Sequence, residues 1–125
     1  MAAQQDKIEQ NVEARQLEVK ENDIRSMTQP AHGEPLHFLR STFRTKHGQN
    51  WYYWNGFEFI KPDSYAFVNL TEVDPNTNEP NPFGTVMYRL SSVSPRLHRL
   101  DLKFEAWNGA EGIMTRADVL IYTFT

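Results

Sequence analysis

The stretch LDLKFEAW, residues 100–107, alternates apolar and charged side chains more cleanly than any other part of the chain. Its apolar members are Leu100, Leu102, Phe104 and Ala106. The residues between them, and the one before, are charged: Arg99, Asp101, Lys103 and Glu105. Because successive side chains of a β-strand point to opposite faces, this pattern predicts a strand with one face in the core and the other in water.

Other stretches of strand-like composition lie on both sides of it, with turn signals at intervals of about 8–12 residues. They are residues 38–46, 51–54, 57–60, 65–70, 85–93 and 118–125. The last one, DVLIYTFT, is apolar on both faces, which indicates a central strand or one that lies under a neighbouring subunit. We therefore predict an all-β body over residues 34–125, built as an antiparallel, jelly-roll-like β-sandwich of about seven strands.

Residues 51–59, WYYWNGFEF, place six aromatic side chains around an Asn-Gly pair. Asn-Gly is the strongest short-range signal for a two-residue hairpin turn, so we expect the two halves of this stretch to pair as a β-hairpin. Trp51 and Tyr53 would then lie on one side of the sheet and their neighbours on the other. One row of rings can fill the core, and the other would form an exposed patch.

Three interpretations of these rings remain open. In the first, both rows of rings pack within the chain. In the second, one row contacts another protein, because Trp and Tyr are enriched at the centres of interfaces. In the third, the ring faces stack on a sugar. We favour one row in the core and one against a neighbouring chain. The residues predicted for the alternative sugar platform are Trp51, Tyr53, Trp54, Trp107 and Asn108.

Residues 1–29 contain no aromatic side chain. Asp6 and Glu9 have the spacing of a capping box, and the residues that follow are good helix formers without Gly or Pro. This pattern predicts a helix over residues 7–27. The helix would lie in an N-terminal arm of residues 1–33. Its apolar stripe is too thin to make a core alone, so the arm is either a solvated tail or, as we expect, ordered by packing on a neighbour. The predicted interface residues are Ile8, Val12, Leu17, Ile24, Met27, Trp51, Tyr53, Tyr122 and Phe124.

Composition narrows the classes of partner. The chain has no cysteine, which excludes disulfides and zinc–thiolate sites. The net charge is −3, and no Lys or Arg lies within residues 47–60, so we expect no nucleic-acid partner. No apolar run approaches the roughly 20 residues needed to span a bilayer, so we expect no membrane partner. The N-terminus lacks the apolar segment of a signal peptide, and we expect a protein made in the cytoplasm without one.

Catalytic signatures are weak throughout the sequence. The four histidines do not have the spacing of a metal-binding pair. The Asp- and Asn-rich stretch 74–81 lacks the central Gly and terminal Glu of a calcium loop. Residues 91–94, SSVS, lack the Gly-x-Ser-x-Gly context of a serine nucleophile. We therefore expect no catalytic residue, no metal and no cofactor.

In layout, a short polar helix followed by a compact jelly-roll-like body resembles the small virion proteins of tailed phages, such as head decoration, tail and fibre-base proteins. The resemblance implies a virion-associated structural protein that assembles with copies of itself or with other proteins. The alternative function is a carbohydrate- or receptor-binding module that offers exposed Trp and Tyr rings to a glycan.

Overall fold

The computed structural model describes residues 14–17, 25–28 and 35–123, which form eight β-strands and contain no helix. The strands are β1 (Ala14–Gln16), β2 (Arg25–Thr28), β3 (Pro35–Arg44), β4 (Gly48–Asn55), β5 (Tyr65–Glu72), β6 (Met87–Arg96), β7 (Arg99–Trp107) and β8 (Met114–Tyr122). They make two four-stranded sheets, β1-β4-β7-β6 and β2-β3-β8-β5. Every neighbouring pair is antiparallel except β1–β4. The prediction of an all-β body with antiparallel-rich sheets is confirmed.

The core lies between the two sheets and is filled by alternate residues of the central strands. In β7, Leu102 and Phe104 are fully buried and Lys103 between them is exposed, as the alternation over residues 100–107 predicts. In β8 the fully buried apolar side chains are Ala117, Val119 and Ile121. These side chains form one continuous apolar cluster that joins the sheets.

Two aromatic side chains of β4 bind the opposite sheet with their polar atoms. The Trp54 indole N–H donates to Ser41 Oγ at 3.0 Å, and the Tyr52 hydroxyl donates to the Arg44 carbonyl at 2.8 Å. Both acceptors belong to β3. Burial raises the pKa of the Tyr52 hydroxyl, so this group stays a donor at neutral pH.

The predicted hairpin across Asn55-Gly56 is wrong. Gly56 has the positive φ of a turn, 89°, but the chain then leaves the sheet. The N–H groups of Gly56 and Phe57 donate to the His98 carbonyl at 2.9 and 3.3 Å, and the His98 N–H donates to the Ile60 carbonyl at 2.7 Å. Because β4 already has β7 on one edge and β1 on the other, a returning strand has no free edge to pair with.

Residues 57–60 instead close one end of the sandwich. The ring of Phe59 stacks on the His37 imidazole, with 3.8 Å between centroids and 2° between planes. His37 Nδ1 is buried and has no hydrogen-bond partner among the described residues. Burial lowers the pKa of His37, which favours the neutral imidazole in this stack.

Part of the predicted helical arm is extended. Residues 14–16 pair in parallel with β4, and residues 25–28 pair with β3. The Leu17 N–H continues the first pairing by donating to the Tyr53 carbonyl at 2.8 Å. Edge pairing satisfies backbone groups of both partners, whereas a lone polar helix gains little in water. The rest of the arm lies outside the described residues, where the helix stays a prediction.

Replacing Leu102 with Asp should unfold the body, because it buries an unpaired charge at a cost of roughly 4 kcal/mol or more. Urea denaturation followed by circular dichroism measures the loss. Thr42→Asp is the matched control, because Thr42 is exposed on the outer side of β3, opposite Arg116. Equal denaturation midpoints for Leu102→Asp and the parent would contradict the inward orientation of this side chain.

Candidate functional site

The candidate sites in the described part of the chain are surfaces. Within residues 14–17, 25–28 and 35–123, no group of three or more His, Cys, Asp or Glu side chains is placed to hold a metal ion. In the same part of the chain, no helix is long and apolar enough to cross a membrane. The features that could contact another molecule are the outer faces of the two sheets and the loop between β5 and β6.

The outer face of the β1-β4-β7-β6 sheet combines rings and cations. Trp51 lies opposite Lys103 in the register of β4 and β7, and the Lys103 ammonium lies 4.3 Å from the centroid of the Trp51 ring. The Arg99 guanidinium lies 4.0 Å from the centroid of the Tyr53 ring. Cation–π contacts of this kind stabilise both groups. We call this surface the aromatic–cationic face and define it by Trp51, Tyr53, Arg96, Arg99, Asp101 and Lys103.

Asp101 holds the aromatic–cationic face together. Its side chain is only 4% exposed and accepts hydrogen bonds from Arg99 Nε at 3.0 Å and Nη2 at 2.8 Å. It also accepts one from the Trp51 indole at 3.1 Å, and Arg96 Nε lies 3.5 Å away. Burial alone would raise the pKa of Asp101, but the hydrogen bonds from Arg99 and Trp51 outweigh it and hold the pKa below 3.8.

The cations of this face are residues that the sequence did not point to. Arg96, Arg99 and Lys103 outnumber the single acid Asp101, so the face carries excess positive charge. These cations come from β6 and β7 and not from residues 47–60, where the sequence has no Lys or Arg. The alternation in β7 predicts that Arg99 and Lys103 face outward. The rings that they contact depend on the register between β4 and β7, which the sequence does not reveal.

The residues predicted for a sugar platform do not lie together. Trp51 and Tyr53 share the aromatic–cationic face, but Trp54 is 0% exposed, so its assignment as a stacking ring is wrong. Trp107 is half-buried and lies four residues along β7 from Lys103, roughly 13 Å away along the strand.

Asn108 has a structural partner in the turn after β7. Its side-chain amide donates to the Thr85 carbonyl at 2.8 Å, and its φ is +66°. The amide therefore ties this turn to the segment before β6. A platform for a sugar is thus limited to Trp51 and Tyr53, whose inward neighbour Trp54 belongs to the core.

The outer face of the β2-β3-β8-β5 sheet is apolar over two rows of residues that lie side by side in the register. One row is Phe38, Leu120 and Phe67; the other is Leu36, Tyr122 and Tyr65. The Phe67 side chain is 64% exposed and that of Tyr65 is 56% exposed. We call these six residues the apolar face. A shallow pocket of about 250 Å³ opens on it, lined by Phe38, Phe67, Val68, Asn69, Asp118 and Leu120.

Charged side chains border the apolar face on one side. The Asp118 carboxylate accepts hydrogen bonds from Arg40 Nε at 2.6 Å and from Arg116 Nε at 3.1 Å. The Arg40 guanidinium lies 5.4 Å from the centroid of the Phe38 ring. Two cations share one acid, so this border carries excess positive charge beside the pocket.

The structure places the predicted interface residues in different environments. Tyr122 lies in the apolar face, on the strand β8, whose sequence is apolar on both faces. Leu17 is 5% exposed within the core of its own chain, so its assignment to a subunit contact is corrected. The sequence missed Phe67, the most exposed ring of the apolar face. For Met27 only the strand pairing of its backbone is described, and four predicted residues lie outside the described residues: Ile8, Val12, Ile24 and Phe124.

The fold is that of a two-sheet, all-β sandwich protein. No protein family model matches this chain, and no curated protein or solved structure is significantly similar to it.

Replacing Asp101 with Asn should lower the free energy of unfolding at pH 7 by about 1.5–3 kcal/mol, because charge-assisted hydrogen bonds from Arg99 are lost. The pKa of Asp101 is depressed in the folded state, so its contribution is complete above the ordinary pKa of an aspartate and is lost as the pH falls from there through the lower, folded-state pKa. Denaturant titrations over a series of pH values should show the full difference between variant and parent at pH 7 and a shrinking difference in acid.

Glu105→Gln is the matched control for that comparison. Glu105 also pairs with an arginine of the same outer face, at 2.8 Å from Arg89 Nη2, but Arg89 is 67% exposed. Water screens such a pair, and its loss should cost no more than about 1 kcal/mol. Equal losses for the two variants would contradict the central role of Asp101.

Proposed function

We propose that this chain is a structural interaction protein that associates with copies of itself through the apolar face. The observation that carries the proposal is the exposure of Phe67 and Tyr65 on an ordered sheet, beside three further apolar side chains and Tyr122. Contiguous apolar patches of this kind mark sites of protein association. Burying such rings against a partner removes about 150–250 Å² of apolar surface for each ring.

Charge supports a second copy as the occupant of this face. The loop of residues 73–86 contains Asp74 and Glu79 and no Lys or Arg, so it is acidic. The border of the apolar face has the opposite sign, because Arg40 and Arg116 share the single carboxylate of Asp118. Complementary charges on one chain favour contacts between copies and steer their encounter.

The order of the strands supports a jelly-roll-like arrangement. Along the chain from β3 to β8, every connection but one passes from one sheet to the other. The exception is the connection between β6 and β7, which are neighbours in the same sheet. Such units are found in shells and other symmetric assemblies. A phage particle, as head decoration, tail or fibre-base component, is the assembly that the layout of the chain suggested; the described residues add no feature specific to it.

Replacing Phe67 with Glu should abolish self-association, because it places a charge among the rings of the apolar face. Sedimentation velocity over a series of concentrations measures the effect, with a rise in the dissociation constant of at least about tenfold expected. Phe67 is 64% exposed, so the melting temperature should change little.

Leu97→Glu is the control for that variant. Leu97 is 65% exposed in the turn between β6 and β7, which belong to the other sheet. It makes the same change from an apolar to a charged side chain, and the oligomeric state should stay that of the parent. A parent that is monomeric at every concentration would overturn the proposal.

The second candidate is binding of an acidic carbohydrate on the aromatic–cationic face. Trp51 and Tyr53 offer rings for stacking, and Lys103 and Arg96 supply positive charge to the same surface. Arg96 is 66% exposed and only loosely held by Asp101, so it is available to an anion. This combination favours a sugar with carboxylate or sulfate groups over a neutral one.

A panel of sulfated, uronic-acid and neutral glycans tests this candidate. We expect the parent to bind acidic members, and Trp51→Ala and Lys103→Ala each to weaken binding by about tenfold. Trp107→Ala, roughly 13 Å along the strand from Lys103, is the matched control and should bind as the parent does. Absence of binding to every acidic glycan would remove this candidate and leave self-association unaffected.

A further inference from the structure

The loop between β5 and β6 presents one aromatic side chain to solvent. Phe83 is 89% exposed, the highest exposure among the large apolar residues that the structure describes. Among the described residues, none covers it, and the lining of the pocket on the apolar face does not include it. A ring left in water costs free energy unless another molecule covers it.

Hydrogen bonds hold Phe83 in this position. Its N–H donates to the side chain of Asn81 at 3.1 Å, and the Gly84 N–H donates to the Asn81 carbonyl at 3.1 Å. The N–H of Asn81 donates in turn to the Glu72 carbonyl at 2.9 Å. A Cβ atom on Gly84 would lie 2.5 Å from Glu72 Oε1, so the segment lies against the end of β5. The backbone that carries the ring is therefore a hydrogen-bonded turn, and little backbone conformational entropy is lost on binding.

The same chain carries a pocket that suits an aromatic ring. The pocket of about 250 Å³ is far larger than the roughly 10–15 Å³ that holds one water molecule. Phe38, Phe67 and Leu120 lie side by side across it. Aromatic side chains that fill apolar pockets are the usual centres of protein interfaces.

Charge favours this pairing of loop and pocket. Asp74 and Glu79 lie on the loop that carries Phe83, and Arg40 and Arg116 border the pocket. Arg116 also donates from Nη1 to the Asn78 carbonyl of the β5–β6 loop of its own chain at 3.0 Å, so one of the two cations is engaged by that loop within the chain. Arg40 pairs through Nε with Asp118 at 2.6 Å, and its side chain is still 32% exposed beside the pocket, where it can meet an incoming acidic loop.

We infer that Phe83 of one copy inserts into the pocket of the apolar face on the next copy. This inference rests on the proposed self-association and names the group that fills the face. The ring and the pocket are different surfaces of one chain, so the contact is heterologous: each copy donates one ring and accepts one. Copies then join head to tail, as a ring or an open chain, rather than as a face-to-face pair.

Mixing two variants tests this geometry. Phe83→Ala lacks the ring but keeps the pocket, whereas Phe67→Glu blocks the pocket but keeps the ring. Each variant alone should be monomeric in sedimentation velocity where the parent is oligomeric. Mixed in equal amounts they should form a 1:1 heterodimer that does not grow further, because only one ring and one matching pocket remain. Leu97→Ala, which truncates another exposed apolar side chain, should associate as the parent does.

The other outcomes separate a failure of this inference from a failure of the proposed function. If Phe83→Ala associates as tightly as the parent, the inference is overturned and the proposed function stands on the apolar face alone. If both variants are monomeric and their mixture is too, the contact is not heterologous and the inference is again overturned. If the parent itself is monomeric at every concentration, the proposed function fails. Equal melting temperatures of parent and variants show that folding does not cause the differences.

Discussion

The hydrogen bonds from Trp54 and Tyr52 to the opposite sheet constrain every other part of the molecule. Each ring is buried, so its N–H or O–H must find an acceptor inside the protein, and both acceptors lie on β3. This requirement fixes how one sheet lies over the other. Side chains alternate along each strand, so the orientation of Trp54 also decides that Trp51 and Tyr53 face outward. On β3, the inward position of Ser41 places Phe38 on the opposite side.

The two outer faces produced in this way differ in chemistry. On the aromatic–cationic face, Asp101 binds the Trp51 indole and the Arg99 guanidinium, and the rings carry cations above them. Most polar groups there already have partners within the chain, and the face is stable in water. On the apolar face the rings of Phe67 and Tyr65 remain exposed.

Patterns that depend on one strand were predictable, and patterns that depend on two strands were not. The alternation over residues 100–107 gave the orientation of β7, and the doubly apolar stretch 118–125 indicated a central strand, which β8 is. The Asn55-Gly56 signal misled, because turn preference is local whereas the free edge that a hairpin needs is a property of the whole sheet. Contacts such as Arg99 with Tyr53 depend on register, which no single stretch encodes.

The same dependence on distant partners explains the N-terminal segment. Good helix formers favour a helix when no other backbone partner is near. Residues 14–16 and 25–28 instead pair with the edges of β4 and β3, which supply the backbone hydrogen bonds that water would otherwise provide. Leu17 shows the result most directly, because its side chain is buried in the core that the later strands build.

The parallel pairing of β1 with β4 has a consequence for biosynthesis. β1 leaves the ribosome before its partner exists, and β2 and β3 lie between the two strands in the chain, so we expect this pairing to form later than the local contacts. Until then the outer edge of β4 carries unpaired backbone groups. A nascent chain stalled at this stage presents a strand edge to its neighbours, and occupation of that edge by the chain's own β1 protects the finished protein from edge-to-edge aggregation.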